Sequence, residues 1–130
     1  MERKYLDDIN YDHEEVYHNA TEKRLTEFKV ERAIYGFDSS DTWNLDMTMT
    51  AMLYERLMML RERSIVDYSA RKETINNETK TVEEWLDKMI ELCEQSLIPM
   101  TDDEWDEKKI SQNILQLWEI WSKVVLSMWW

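Results

Sequence analysis

Gly36 and Pro99 are the only glycine and proline in the 130 residues of this chain, where average usage would give roughly nine and six. Glycine supplies the positive-φ positions of tight turns and the bare backbone that phosphates approach. Its scarcity excludes phosphate-binding loops, dinucleotide fingerprints and most turn-rich β architectures. A hydrophobic share of 43% exceeds what disordered chains carry, so the sequence calls for helices closing on one core.

Periodicity places those helices. Val82, Trp85, Leu86, Met89, Ile90, Cys93 and Leu97 recur at the i, i+3, i+4, i+7 spacing of one buried helical face. Thr81 and Glu84 form a capping box at the start of that stripe, and Pro99 ends it. A second capping box at Thr101 and Glu104, with Met100 and Trp105 as a hydrophobic staple, opens a stripe through Ile110, Ile114, Leu117, Trp118, Trp121, Val125 and Met128. A helix over 102–128 is roughly 40 Å long, more than a small domain needs. Upstream, Leu45, Met49, Met52, Leu53, Leu57 and Leu60 mark a core face, with Asp38 or Ser39 as the cap and Asp41 in the first turn. Tyr17, Thr21, Leu25 and Phe28 give a weaker pattern that Gly36 terminates in left-handed conformation. The reading is all-α: a compact bundle of about four helices, near 13–33, 39–66, 81–98 and 102–128, with a long C-terminal helix. Residues 1–12 are expected to fray, and 13–130 to form a single helical domain. Ser64–Lys80 is the least regular stretch and long for a connection between helices.

The run from Ile34 to Asp46, with Gly36, Phe37, Ser40, Asp41, Trp43, Leu45 and Asp46, resembles a motif of a family of small, uncharacterised tailed-bacteriophage proteins. There a Gly-aromatic-Ser-Asp-x-Asp-x-Trp-x-Leu-Asp sequence opens a helix. Trp85 to Ile90 is similar to a second helical segment of that family, and Met128-Trp129-Trp130 to its C-terminal doublet. The likeness spans about residues 30–130 and departs at 64–80, where those proteins tend to carry Gly and Pro. It implies a viral origin and a helical fold, and assigns no chemistry.

Catalytic and metal-binding groups are sparse. His13 and His18, the two histidines, stand about 140° apart on a helix, which does not suit a shared metal. Cys93, the single cysteine, falls on an apolar stripe with no cation to lower its pKa, and without a partner it suits a reducing cytosol. No nucleophile elbow or Ser/His/Asp set assembles. Asp46, beside the expected core face, reads as a ligand-contacting acid or half of a buried salt bridge with Arg56, Lys88 or an indole N–H. The expectation is a protein that is not an enzyme and carries neither cofactor nor metal.

The remaining signals concern surfaces. Seven tryptophans are many for one small core, since each ring buries about 150–250 Å². Trp43, Trp118, Trp121, Trp129 and Trp130 are therefore candidate partner contacts, with homo-oligomerisation set against a terminus folded back on its own core. Met47, Met49, Met52, Met58 and Met59 serve either core packing or an adaptable binding face; Met49 and Met52 lie on the core stripe, Met47 and Met58 off it. Glu84, Asp87, Glu91 and Glu94 line an acidic helix face, within a net charge of −12 that disfavours direct nucleic-acid binding. That face either occupies a basic protein or simply keeps the chain solvated.

No stretch is long and apolar enough for a bilayer, and the charged N-terminus lacks a secretory pattern. The chain is thus expected to be a bacteriophage accessory protein in the host cytoplasm, binding a basic host or defence protein through aromatic anchors and an acidic rim. Two alternatives stand beside it. One is sequestration of a small signalling nucleotide by Trp and Tyr rings with Arg56, Arg61 or Arg63; the other is a structural or assembly role in the virion.

Overall fold

The computed structural model describes residues 21–42, 45–97 and 106–128. Among these residues four α-helices carry the fold: α1 (Glu22–Tyr35), α2 (Leu45–Arg63), α3 (Val82–Leu97) and α4 (Glu107–Val124). One short hairpin, β1 (Lys72–Ile75) with β2 (Glu78–Thr81), interrupts them. The all-α bundle with a long C-terminal helix is what the sequence leads one to expect.

α3 is the centre. Thr81 Oγ1 accepts from the Glu84 backbone N–H at 3.1 Å, and the Glu84 carboxylate accepts in return from the Thr81 N–H at 3.2 Å. This is the reciprocal box the sequence announces. Those bonds hold the Glu84 carboxyl below its ordinary pKa. Trp85, Leu86, Met89, Ile90, Cys93 and Leu97 are all buried, joined by Leu92 and Ser96, so the face is broader than the stripe. α2 and α4 both pack against α3 and have little direct contact with each other.

The connector is where the expectation needs correction. α2 ends at Arg63 rather than near residue 66, and the irregular stretch holds a 3-10 turn (Tyr68–Ala70) followed by the antiparallel hairpin. Asn76 and Asn77 take φ of 51° and 65°. Asparagine tolerates this left-handed region better than other residues with a Cβ, so it turns the hairpin without glycine. Thr74 and Thr79 share a hydrogen bond across the strands at 2.7 Å. The Trp85 indole N–H donates to the Glu73 carbonyl at 2.9 Å, Lys80 lies 4.9 Å from the Trp85 ring centre, and the Val82 N–H donates to the Arg71 carbonyl at 2.8 Å. A two-stranded hairpin is marginal alone; here α3 supports it.

Helix ends differ too. α1 starts after its N-cap Thr21 and ends at Gly36, whose φ of 82° is the left-handed terminator expected there. His13 and His18 lie outside the described residues. Residues 39–42 form a separate 3-10 turn before α2. Asp38, expected to cap α2, instead anchors that turn. It is fully buried, accepts from Arg32 Nε at 2.6 Å and from the Ser40 N–H at 2.9 Å, and is also bonded by the Ser40 hydroxyl. The Asp41 side chain lies outside the described set. The N-cap of α4 is Asp106, accepting from the Lys109 N–H at 3.1 Å. The helix is therefore 18 residues, about 27 Å, followed by a 3-10 turn (Val125–Ser127). The second capping box and staple, residues 100–105, fall outside the described residues.

The Trp85 contacts give a direct test. Trp85→Phe keeps the buried ring but deletes the indole donor, leaving the Glu73 carbonyl without it. We expect a loss of about 1–2 kcal/mol in urea unfolding, with amide exchange in 72–81 accelerating more than in α4.

Candidate functional site

On α2 the sequence-marked core face is only partly the core: Leu53 and Leu57 are buried in it and Leu60 packs against it, whereas Leu45, Met49 and Met52 are exposed. Met47, Thr48, Thr50, Ala51, Leu53, Tyr54 and Leu57 are buried, a face centred about a third of a turn away from the expected stripe. Met49 and Met52, expected inside, are 39% and 41% exposed, whereas Met47, expected off the core, is buried. α2 is apolar around most of its circumference, so α3 covers one side and the other is left as a second apolar face.

That second face forms one wall of an open groove of about 390 Å³. Met49, Met52, Leu53, Arg56, Leu57 and Leu60 contribute from α2. Trp118 and Trp121 of α4, with Val125 and Met128 of the turn after it, make the opposite wall. α4 divides its apolar residues in the same way. Ile110, Ile114, Leu117, Ile120 and Val124 are buried in the core, while Trp118 and Trp121 are half-buried at the groove. Both sets recur at i+3 and i+4, which is why the sequence reads as one broad stripe.

The expected tryptophan contacts thus separate. Trp118 and Trp121 come together in the groove, and Trp85 is a core residue. Trp43, Trp105, Trp129 and Trp130 lie outside the described residues.

Arg56 is the groove's charged lining residue. It is exposed, and its guanidinium donates to the Met52 carbonyl at 3.0 Å. The buried salt bridge expected of Asp46 and Arg56 does not form. Asp46 is exposed and accepts from the Met47 N–H at 2.9 Å, holding the first turn of α2. The buried carboxylate with an arginine partner is Asp38, eight positions upstream. Its signal was its place between Gly36 and Ser40, where an aspartate folds back on its own backbone.

The acidic face is a separate surface on α3. Glu84, Asp87 and Glu91 are exposed and Glu94 is half-buried. It is more compensated than its spacing implies. Arg61 of α2 pairs with Asp87 at 3.1 Å, and Lys88 turns to Glu91 at 3.6 Å rather than to Glu84. The first pair is solvent-exposed and the second partly so, with Lys88 half-buried, and surface pairs of this kind are worth little individually.

Among the described residues, no group of three or more His, Cys, Asp or Glu side chains is arranged to hold a metal ion. No described helix is long and apolar enough to cross a membrane. The fold and groove together define a helical domain with an open apolar cleft. Comparison with protein-family models, curated proteins and solved structures finds no match for the chain.

Cys93 is packed inside α3. Burial, with the Glu94 carboxylate adding to it, pushes the thiol from 9.0 up to about 12. As pH rises past 9, the unfolded thiol loses a proton that the folded one keeps, so this group's contribution to stability declines from there toward 12. At pH 8 we expect the folded chain to resist a disulfide exchange reagent and to react completely once denatured; rapid labelling of native protein would contradict this burial.

Proposed function

We propose that this chain is a non-enzymatic bacteriophage accessory protein that binds a protein of the infected cell, host or defence, through the α2–α4 groove. One observation carries the reading: Trp118 and Trp121 face Met49 and Met52 across a concavity open to solvent. Tryptophan and methionine are over-represented at interface centres, where flat rings and flexible thioethers fill a partner's irregularities. The phage assignment rests on the motif from Gly36 to Asp46, and the host cytoplasm follows from it. A net charge of −12 favours a basic partner, which the exposed carboxylates of α3 attract from a distance.

The nucleotide alternative keeps one favourable observation, since Arg56 lies in the same groove as the two indoles. Arg61 is engaged with Asp87, leaving a weaker phosphate site than the sequence implies.

A photo-cross-linker at Met52, activated in bacteria expressing the full chain, tests the reading. We expect a discrete adduct with another protein, reduced at least tenfold by Trp118→Ala, in line with loss of an interface anchor. Without the cross-link, the complex should dissociate as salt rises from ~0.1 to ~0.5 M. Adducts only from a probe at Glu91, or none at all, would refute the groove as the contact surface. A thermal shift with a nucleotide panel, abolished by Arg56→Ala, would favour the alternative.

A further inference from the structure

The C-terminal end of α1 carries apolar side chains that the described fold leaves open. Phe28 points inward and is buried, but Val30, Ile34, Tyr35 and Phe37 are 52–66% exposed. Val30 and Ile34 stand at i and i+4 on the last turns of α1, the spacing by which helical anchors enter a groove, and Tyr35 and Phe37 stand either side of the Gly36 terminus with ring centroids 6.2 Å apart. Among the described elements α1 packs chiefly against the 3-10 turn at 39–42, and these four side chains remain open to solvent.

We propose that a second copy of this chain occupies the groove, by reciprocal exchange. The C-terminal end of α1 of each copy, with Val30 and Ile34 as helical anchors and Tyr35 and Phe37 at its terminus, seats between α2 and α4 of the other, about a two-fold axis. This rests on the groove being a protein-binding surface, and names one occupant for it.

Polarity and charge agree. The exposed residues at the end of α1 are apolar, as is most of the groove's lining. Glu27 precedes Val30 by three positions and Ile34 by seven, so it lies on the same face of α1. Its existing partner is Arg24 at 3.2 Å, with both side chains more than 40% exposed. An exposed pair of that kind is weak and readily exchanged. Glu27 is therefore the acid placed to meet Arg56 in the partner's groove.

Area decides the symmetry. Four large side chains with 52–66% of their surface open offer roughly 400 Å² per copy, on the ~150–250 Å² scale of such residues. One docked helix end then buries roughly 800 Å² counting both sides, the size of a weak contact. Two reciprocal contacts bury roughly 1,600 Å², the size of a stable interface. Head-to-tail addition forms one such contact per step, whereas a closed pair gains both together.

Sedimentation of the purified full chain tests this. We expect a species of about 32 kDa, twice the 15.9 kDa chain. Ile34→Glu and Met52→Glu, both at exposed positions, should each weaken the dimer more than tenfold with helical content unchanged. Glu27→Arg and Arg56→Glu should each weaken it about tenfold, because every change acts twice across a two-fold axis. The double variant E27R/R56E should recover most of the loss, a result that a purely local role of either residue would not give. A monomer at tens of micromolar, or a dimer indifferent to Ile34 and Glu27, would overturn the proposal. A monomer whose Met52 probe still captures another protein would end the self-pairing and leave the groove's proposed function standing. A monomer that captures nothing would end both.

Discussion

Burial of the α3 stripe is the constraint on which the other elements depend. Trp85, Leu86, Met89, Ile90, Cys93 and Leu97 are each at most 2% exposed. Fully burying a large apolar side chain stabilises by about 1.5–3 kcal/mol, so no arrangement that leaves one side of this helix wet competes. α2 and α4 are needed to enclose it, one on each flank, and the hairpin seals its first turn through the Trp85 indole. Enclosing one helix with two others does not require those two to meet. They have little direct contact with each other, and the groove lies between them.

How far this was legible in the sequence depends on the helix. α3 is sharply amphipathic, so its face, cap and buried cysteine follow from spacing alone. α2 is not: with methionines, leucines and threonines around its circumference, several faces satisfy an i+3, i+4 pattern. The most apolar of them gives Leu53 and Leu57 to the core but leaves Met49 and Met52 outside, while the less conspicuous Met47, Ala51 and Tyr54 pack inward. Periodicity records which residues share a side, and only the tertiary fold says which side a neighbour covers. The same reason explains α4, where Trp118 and Trp121 merge in sequence with Ile114 and Leu117 but look out on the groove.

The hairpin and the role of Asp38 are hidden in the sequence for a different reason. The stretch 72–81 is charged and rich in threonine, and its turn is built on Asn76-Asn77, a pair less distinctive than Asn-Gly. Two short strands flanking asparagines nonetheless fit a two-residue turn. Gly36 and Ser40 around Asp38 likewise match a self-bonded turn as well as a helix cap. Both are local choices that α3 and α1 decide by what they support: Trp85 needs a carbonyl acceptor, and Arg32 a carboxylate.

An open apolar groove on a chain of net charge −12 has a consequence for its occupants. Two copies repel one another at long range, so added salt screens that repulsion and strengthens self-pairing until direct contacts dominate. A basic partner is attracted by the same field, and added salt weakens its binding. The two occupants proposed for the groove therefore respond to ionic strength with opposite sign. At low salt the field favours a basic partner over a second copy, even where the apolar contacts are equal. Arg56 acts at shorter range, favouring whichever segment brings an acid beside its apolar anchors, as Glu27 does on α1. A groove walled by methionine and tryptophan imposes little shape selectivity, since both adapt to what fills them. Selection between occupants then falls to charge, with the exposed carboxylates of α3 acting at a distance and one arginine acting at the wall.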